Sequence, residues 1–406
     1  MRGVRHERWQ RELGQRITAK QVFRRHGELA AAKGLTDGLV GMIDAAYPIA
    51  ITRHYAKRID WSNPDDPLLR IVFPDAEELR ADGFGDQSGE WISTRKTGVP
   101  GLQHKYGPTA LLMVAGTCAA YCRYCFRRRV VGTENETALD LGAAFSYIAR
   151  HREINNVLLT GGDAFMASNF RLAEILGRLR QIGHVGVIRL GTKMPVYLPS
   201  RFSDPELLRI LESHSSAGKR VCVVSHIDHP GELDSQAQEA HAKLMGAGVH
   251  LRSQSVLMRG VNDSPETLVE LFRGITDAGI APHYLFQCRP VKGGTHFALP
   301  LIEGYGIVEE AKRHLSGLAK SFRFIMSHVS GKMEMVSVER RGRDTFAVFK
   351  YHQARDPRFL GSSILVTYRE KSFWLDGVFG QPHQIIAGGE AAQYAITQAR
   401  LLASGN

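Results

Sequence analysis

The chain has 406 residues, 43% of them hydrophobic and 23% charged, which fits a globular protein with a large core and room for two or three domains. No apolar stretch reaches membrane-spanning length, and the opening M-R-G-V-R-H-E-R-W-Q-R-E-L has no apolar signal region, so a cytoplasmic location is expected. The net charge of +11 would suit a polyanionic partner, but the arginines are spread along the chain, which argues against nucleic acid as substrate.

Residues 1–105 read as mainly helical, with Trp9, Leu13, Ile17, Val22 and Phe23 at helical spacing and a second stripe through Ile43, Ala46, Tyr47, Ile49 and Ile51. From 106 to 335 strand and helix patterns alternate. The apolar runs Ala110–Val114, Asn156–Thr160, Gly186–Leu190, Arg220–Ser225, Val249–Gln254, His283–Gln287 and Phe322–Met326 suit buried parallel strands. Helix-like segments near 137–150, 169–181, 203–213, 233–246, 264–278 and 302–319 separate them, with Asp204-Pro205 and Ser264-Pro265 as starts. Repeated βα units of this kind predict an α/β fold, a partial barrel of six or seven units with its reactive residues at the C-terminal ends of the strands. Residues 336–406 form a small α+β extension, with strands over Thr345–Tyr351, Ser363–Tyr368 and Phe373–Val378 and a helix over Glu390–Leu402; it is a candidate lid or oligomer contact.

The run G-T-C-A-A-Y-C-R-Y-C-F-R-R-R follows the first of these strands and places Cys118, Cys122 and Cys125 in C-x3-C-x2-C spacing. Three thiolates can hold three irons of a [4Fe–4S] cubane and leave the fourth open for chemistry. A structural zinc site would ask for a fourth N or S ligand in a second pair, and Cys222 and Cys288 stand alone as expected strand residues. Five cysteines in a chain without a secretory leader do not read as a disulfide framework.

Polar groups follow the other strands in the same phase: T-G-G-D (Thr160–Asp163), Arg189, His226, Gln254 with Arg259, Gln287 with Arg289, and His328 with Lys332. Any one of these has a structural explanation as a turn, a cap or a satisfied core group. Their recurrence at one end of successive strands favours a site.

These motifs, together with W-Q-R-E-L-G-Q-R-I-T, G-L-Q-H-K-Y, R-L-G-T-K-M-P-V, S-H-I-D-H-P-G-E, Q-S-V-L-M-R-G-V-N-D and Y-L-F-Q-C, resemble the lysine 2,3-aminomutase family of radical S-adenosylmethionine (SAM) enzymes over roughly residues 8–335. The resemblance implies a radical SAM partial barrel in which SAM chelates the open iron and is cleaved to a 5′-deoxyadenosyl radical. It implies pyridoxal 5′-phosphate (PLP) on a lysine, and migration of an amino group between C2 and C3 of an amino acid. It also implies an external one-electron reductant of the flavodoxin or ferredoxin type. Carried over by position, Cys118, Cys122 and Cys125 are the cluster ligands; Gly161, Gly162, Asp163, His226 and Gln254 contact SAM. Arg127 clamps the substrate carboxylate, Lys332 bears PLP and Lys105 helps hold its phosphate.

Three departures bear on function. Lys332 stands in S-H-V-S-G-K, with one glycine where the family has a run, and Thr109 stands where a second basic phosphate ligand is expected. Arg289 and Ile325 occupy the positions of two aspartates that grip the distal ammonium of lysine. An arginine there would repel that ammonium, so the expected substrate is an amino acid other than lysine, with a distal anionic or carbonyl group. A PLP-independent dehydratase, epimerase or oxidase on the same scaffold, and a cluster-containing nucleic-acid-modifying protein, are the alternatives.

Overall fold

The computed structural model describes residues 8–83, 96–132, 140–367, 372–375 and 385–403. Strands β1 (Ile17–Thr18) and β2 (Ala50–Ile51) pair with each other among short N-terminal helices. The others form one twelve-stranded sheet in which each strand lies beside its neighbour in sequence. They are β3 (Leu102–Tyr106), β4 (Thr109–Ala115), β5 (Asn156–Gly161), β6 (Val187–Thr192), β7 (Arg220–His226), β8 (His250–Leu257), β9 (Ala281–Gln287), β10 (Arg323–His328), β11 (Gly331–Arg341), β12 (Asp344–Ala354), β13 (Ser363–Thr367) and β14 (Ile385–Ala387).

β4 through β10 run parallel, as the expected partial barrel requires. Helices cover the outer face and explain why these strands read as apolar runs. The helix Asn169–Gln181 buries Leu172, Ile175, Leu176 and Leu179 at three- and four-residue spacing; Pro265–Asp277 does the same with Leu268, Leu271, Phe272 and Ile275. Their starts are fixed by Ser168 Oγ and Ser264 Oγ, which accept from the amides of Arg171 and Thr267.

Among the described residues the sheet does not close by strand pairing, and β3 and β14 are its edges. It curls far enough, however, for Lys105 Nζ on β3 to donate to His328 O at the end of β10, at 3.0 Å. That bond links the antiparallel strand β3, beside the first parallel strand, to the end of the last.

Several expectations need correction. G-L-Q-H-K-Y is not part of a helical region but strand β3, and the 11-residue β11 lies where a loop and a domain boundary were expected. The divisions at 105/106 and 335/336 fall inside these two strands, so the sheet runs through both. The segment 302–319 is helical only over Leu301–Arg313. Of Phe373–Val378, residues 373–375 are not a strand and the rest lie outside the described residues, as do 137–139 and Tyr368.

Candidate active site

The cysteine loop is held from both sides by backbone. Beneath it, the amides of Gly162 and Asp163 donate to Ala115 O (2.7 Å) and Thr117 O (3.0 Å). This approach leaves no room for side chains: a Cβ on Gly161 would lie 2.2 Å from Ala115 O, and one on Gly162 2.2 Å from Thr117 O. Gly161 also has φ of 116°, which glycine adopts without penalty. Above it, Tyr121 N donates to Ala50 O and Arg123 N to Ile71 O, so the N-terminal helices form a cap on the loop.

The arginines of C-R-Y-C-F-R-R-R divide their tasks. Arg123, fully buried, meets both oxygens of Glu78 at 2.9 and 2.7 Å, and Arg128 joins the same carboxylate at 2.6 Å. The two guanidiniums hold the Glu78 carboxyl below the usual range against the opposing effect of its burial. Arg127 turns the other way, into the cavity, where its Nη1 donates to Thr160 Oγ1 at 2.9 Å.

The three thiols fit a cluster better than a single ion. A zinc would draw its sulfurs to about 3.8 Å from one another, given Zn–S bonds of about 2.3 Å. Among the described residues the one triad of His, Cys, Asp or Glu atoms mutually within 4.8 Å is His104, His151 and Glu153. Its two histidines are already bonded, His104 spanning Tyr147 Oη and Gly107 O and His151 Nδ1 meeting Tyr147 O. Burial pushes all three cysteine thiols up, Cys122 to about 12, so the thiolate state needs a positive partner such as iron.

The cysteines open onto a cavity of about 310 Å³ inside the barrel, and it is lined by Gly161, Gly162, Asp163, His226, Gln254, Arg127, Lys105, Arg289 and Lys332 as expected from sequence, but not by Arg259, His328 or Ile325. Asp163 accepts from Thr192 Oγ1 (2.8 Å), Lys193 N (2.7 Å) and Phe165 N (3.0 Å), which joins the ends of β5 and β6. Burial pushes its carboxyl up, and these donors offset part of that. On the opposite wall Gln254 Nε2 lies 3.4 Å from His226 Nδ1, while His226 Nε2 meets Asp228 Oδ1 at 3.0 Å. Asp228 also receives Tyr124 Oη, from between the cysteines, and Lys193 Nζ; Lys193 bridges onward to Glu232 at 2.8 Å. This buried network ties the cysteine loop to the ends of β6 and β7.

The inner end of the cavity is cationic. Among the described residues, lysines and arginines 105, 127, 189, 193, 289 and 332 line the space against one carboxylate, Asp163. Lys332 follows a two-residue hairpin turn between β10 and β11, with His328 paired to Gly331. The lone glycine of S-G-K is required: a Cβ on Gly331 would lie 2.1 Å from Gln353 O of β12. Ser330 Oγ pins the turn to His328 Nδ1 (2.6 Å) and Tyr351 Oη (2.7 Å). Lys332 Nζ sits among aromatic faces, 4.7 Å from the Tyr284 centroid and 5.9 and 6.0 Å from Tyr106 and Phe286. Burial, with Arg189 and Arg289 nearby, lowers its ammonium to about 7.

Arg289 stacks on Phe126 at 3.9 Å and donates to Ser327 Oγ at 2.8 Å, while Ile325 is buried in β10 and does not face the cavity. A bulge in β9 opposite Arg252 and Gln254 turns both His283 and Tyr284 inward, and Pro282 sits in it, where its missing N–H costs no ladder bond. Arg189 Nε donates to Asn156 Oδ1 at 2.8 Å. By contrast, Arg259 is half exposed against Glu303, and His328 is spent on its turn. Cys222 and Cys288 are buried, as expected of strand residues.

Sequence reasoning missed Glu78, Asp228, Glu232, Tyr197 and Tyr47. The first three are charged residues that are almost never buried unpaired. Asp228 and Glu232 lie within the quoted S-H-I-D-H-P-G-E motif, and that was the available signal. Nothing local marks the tyrosines.

No family model matches the chain. Curated relatives do match it. A putative L-lysine 2,3-aminomutase of Aquifex aeolicus is 39% identical over 326 residues, 80% of this chain and 85% of that protein. The L-lysine 2,3-aminomutase of Escherichia coli is 36% identical, over 67% of this chain and 78% of its own. That of Acetoanaerobium sticklandii is 33% identical, over 76% and 73%. Among solved structures, a radical SAM methyltransferase from Sphaerobacter thermophilus overlaps 55% of this chain and 68% of its own at 17% identity, with a TM-score of 0.37, too slight a likeness to carry weight.

Proposed function

Because the chain belongs to the lysine 2,3-aminomutase family of radical SAM enzymes, we propose that it moves an amino group between C2 and C3 of an amino acid other than lysine, with PLP held at Lys332. Membership implies the [4Fe–4S] cluster and SAM. The observation that carries the reading is the convergence of Lys332 and the three cysteines on one cavity. When bound, SAM on the cluster supplies a hydrogen-abstracting radical and PLP supplies the π-system through which nitrogen migrates.

This chain's own residues supply orientation and exclusion. Lys332, lowered to about 7, offers a neutral amine at physiological pH, the form able to condense with a carbonyl. Tyr106, Tyr284 and Phe286 wall it off from water and offer faces to a planar ring. Arg127, oriented by Thr160, presents a fork for the substrate carboxylate. Lys105 already donates to His328 O and lines the cavity beside Thr109, so the two together offer a phosphate one charge rather than two.

Arg289, fixed by Phe126 and Ser327, points to a substrate whose distal end is an anion or carbonyl. A free lysine would bring its ammonium toward that guanidinium in a space whose one carboxylate among the described residues, Asp163, is already bonded. We place the enzyme in the cytoplasm with an external one-electron reductant; among the described residues no helix is long and apolar enough to cross a membrane.

The test is anaerobic, reconstituted enzyme with SAM, PLP and a panel of amino acids including glutamate and lysine. Borohydride should fix a pyridoxyl group to Lys332, and acidic or amide side chains should be turned over at least tenfold faster than lysine. Robust production of β-lysine refutes the substrate assignment. SAM cleavage without any adduct at Lys332 refutes PLP and leaves a PLP-independent reaction on the same scaffold.

A further inference from the structure

Two buried tyrosine hydroxyls are aimed at two of the three cluster sulfurs. Tyr197 Oη lies 2.8 Å from Cys122 Sγ. Tyr47, from the N-terminal cap, packs in one buried cluster with Cys125, where a hydrogen bond from its side chain works to lower a thiol that burial raises. Both side chains are 1–2% exposed, so neither hydroxyl has bulk water as an alternative.

Each ring is fixed from several sides. Tyr197 packs edge-on against Tyr55 with centroids 4.9 Å apart, and its carbonyl accepts from Thr52 Oγ1 at 2.5 Å. Lys193 Nζ stands 5.5 Å from its ring centre. Tyr47 lies between Arg123 and Arg128, whose guanidinium carbons are 4.8 and 4.9 Å from its ring centre, both anchored on Glu78. A cation over a phenol withdraws density from the ring and makes its O–H a stronger donor. The two tyrosines come from different parts of the chain, and a cation stands by each ring.

We propose that Tyr197 and Tyr47 donate to the Cys122 and Cys125 thiolates and raise the reduction potential of the cluster they ligate. The physical reason is charge. Reduction adds an electron to an already anionic iron–thiolate unit, and O–H dipoles pointing at its sulfurs stabilise the more negative state more than the less negative one. The tyrosines are positioning residues: they touch the ligands, not the substrate. The inference rests on the cluster and is independent of PLP and of the substrate.

The experiment is an EPR-monitored redox titration of reconstituted wild type, Tyr197→Phe, Tyr47→Phe and Tyr55→Phe, with iron counted in each. Phenylalanine keeps the ring packing and removes only the hydroxyl. Loss of either donor should leave the cluster harder to reduce, with the reduced-to-oxidised ratio at fixed poise falling about tenfold, or about 59 mV for a one-electron couple. Tyr55→Phe should leave the potential in place, because that hydroxyl bonds to Glu232 Oε1 at 3.0 Å rather than to a sulfur. Unmoved potentials in both test variants overturn the proposal. So does an equal shift in Tyr55→Phe, which would mark a general electrostatic effect. Failure of both test variants to assemble four irons would overturn it in favour of a purely structural role.

Discussion

Lys332 shows how one residue's chemistry is set by what its neighbours lack. A lysine in water holds its proton to about 10.4, yet here the ammonium is walled by aromatic faces with Arg189 and Arg289 close by. The lowering to about 7 has a sign that can be checked. Between that value and the unfolded value, the unfolded chain binds the proton and the folded chain does not. Stability therefore rises with pH through this window and is flat below it. We expect the urea midpoint of the PLP-free protein to climb from pH 7 to pH 10, and Lys332→Met to lose that climb while gaining stability at pH 7. Denaturation curves at several pH values decide it; parallel profiles for the two proteins would show that Lys332 is an ordinary exposed lysine.

At the scale of elements, the glycines hold the site together through contact between backbones. The β5 end and the cysteine loop approach so closely that Gly162→Ala would drive a methyl group to 2.2 Å from Thr117 O, a backbone atom with no rotamer to yield. We expect this substitution to cut iron incorporation several-fold while Lys332, across the barrel, keeps its reactivity toward borohydride and PLP. Full iron loading in the variant would mean the glycine pair serves SAM alone. This mixture of roles shows how far the chain could be read in advance. The cysteine spacing and the phase of polar groups after each parallel strand were visible, because both follow from local periodicity. Strand β11 was also written in the sequence, as alternation around the buried Met333 and Met335, but its Lys and Glu made it resemble a polar loop. The partners of the cysteine loop were not legible. Glu78, Tyr47 and Tyr197 lie far along the chain from the cysteine loop they serve, Tyr197 75 residues from Cys122, and only tertiary packing makes them neighbours.

At the scale of the whole molecule, the C-terminal strands are part of the barrel rather than an attachment to it. β12 lies so close to Gly331 that it fixes where Lys332 emerges, and Gln353 lines the cavity itself. Tyr394, from the last helix, donates to Ser330 O at 3.2 Å and so braces the same turn. Phe349, Tyr351, Ile364, Val366 and Trp374 are buried in one core with Met333 and Met335. Each such side chain contributes about 1.5–3 kcal/mol by burial, so losing five removes an amount comparable to the net stability of a typical domain. A chain ended after Arg341 would also leave the 11-residue β11 as a long unpaired edge, a template for pairing with other copies. We therefore expect the truncated protein to be insoluble, or to be recovered only as aggregates by size-exclusion chromatography, with no borohydride-fixed PLP at Lys332. A soluble, monodisperse truncation that still carried the pyridoxyl group at Lys332 would show that residues 342–406 are a separable appendage, and that β10 and β11 position the lysine without them.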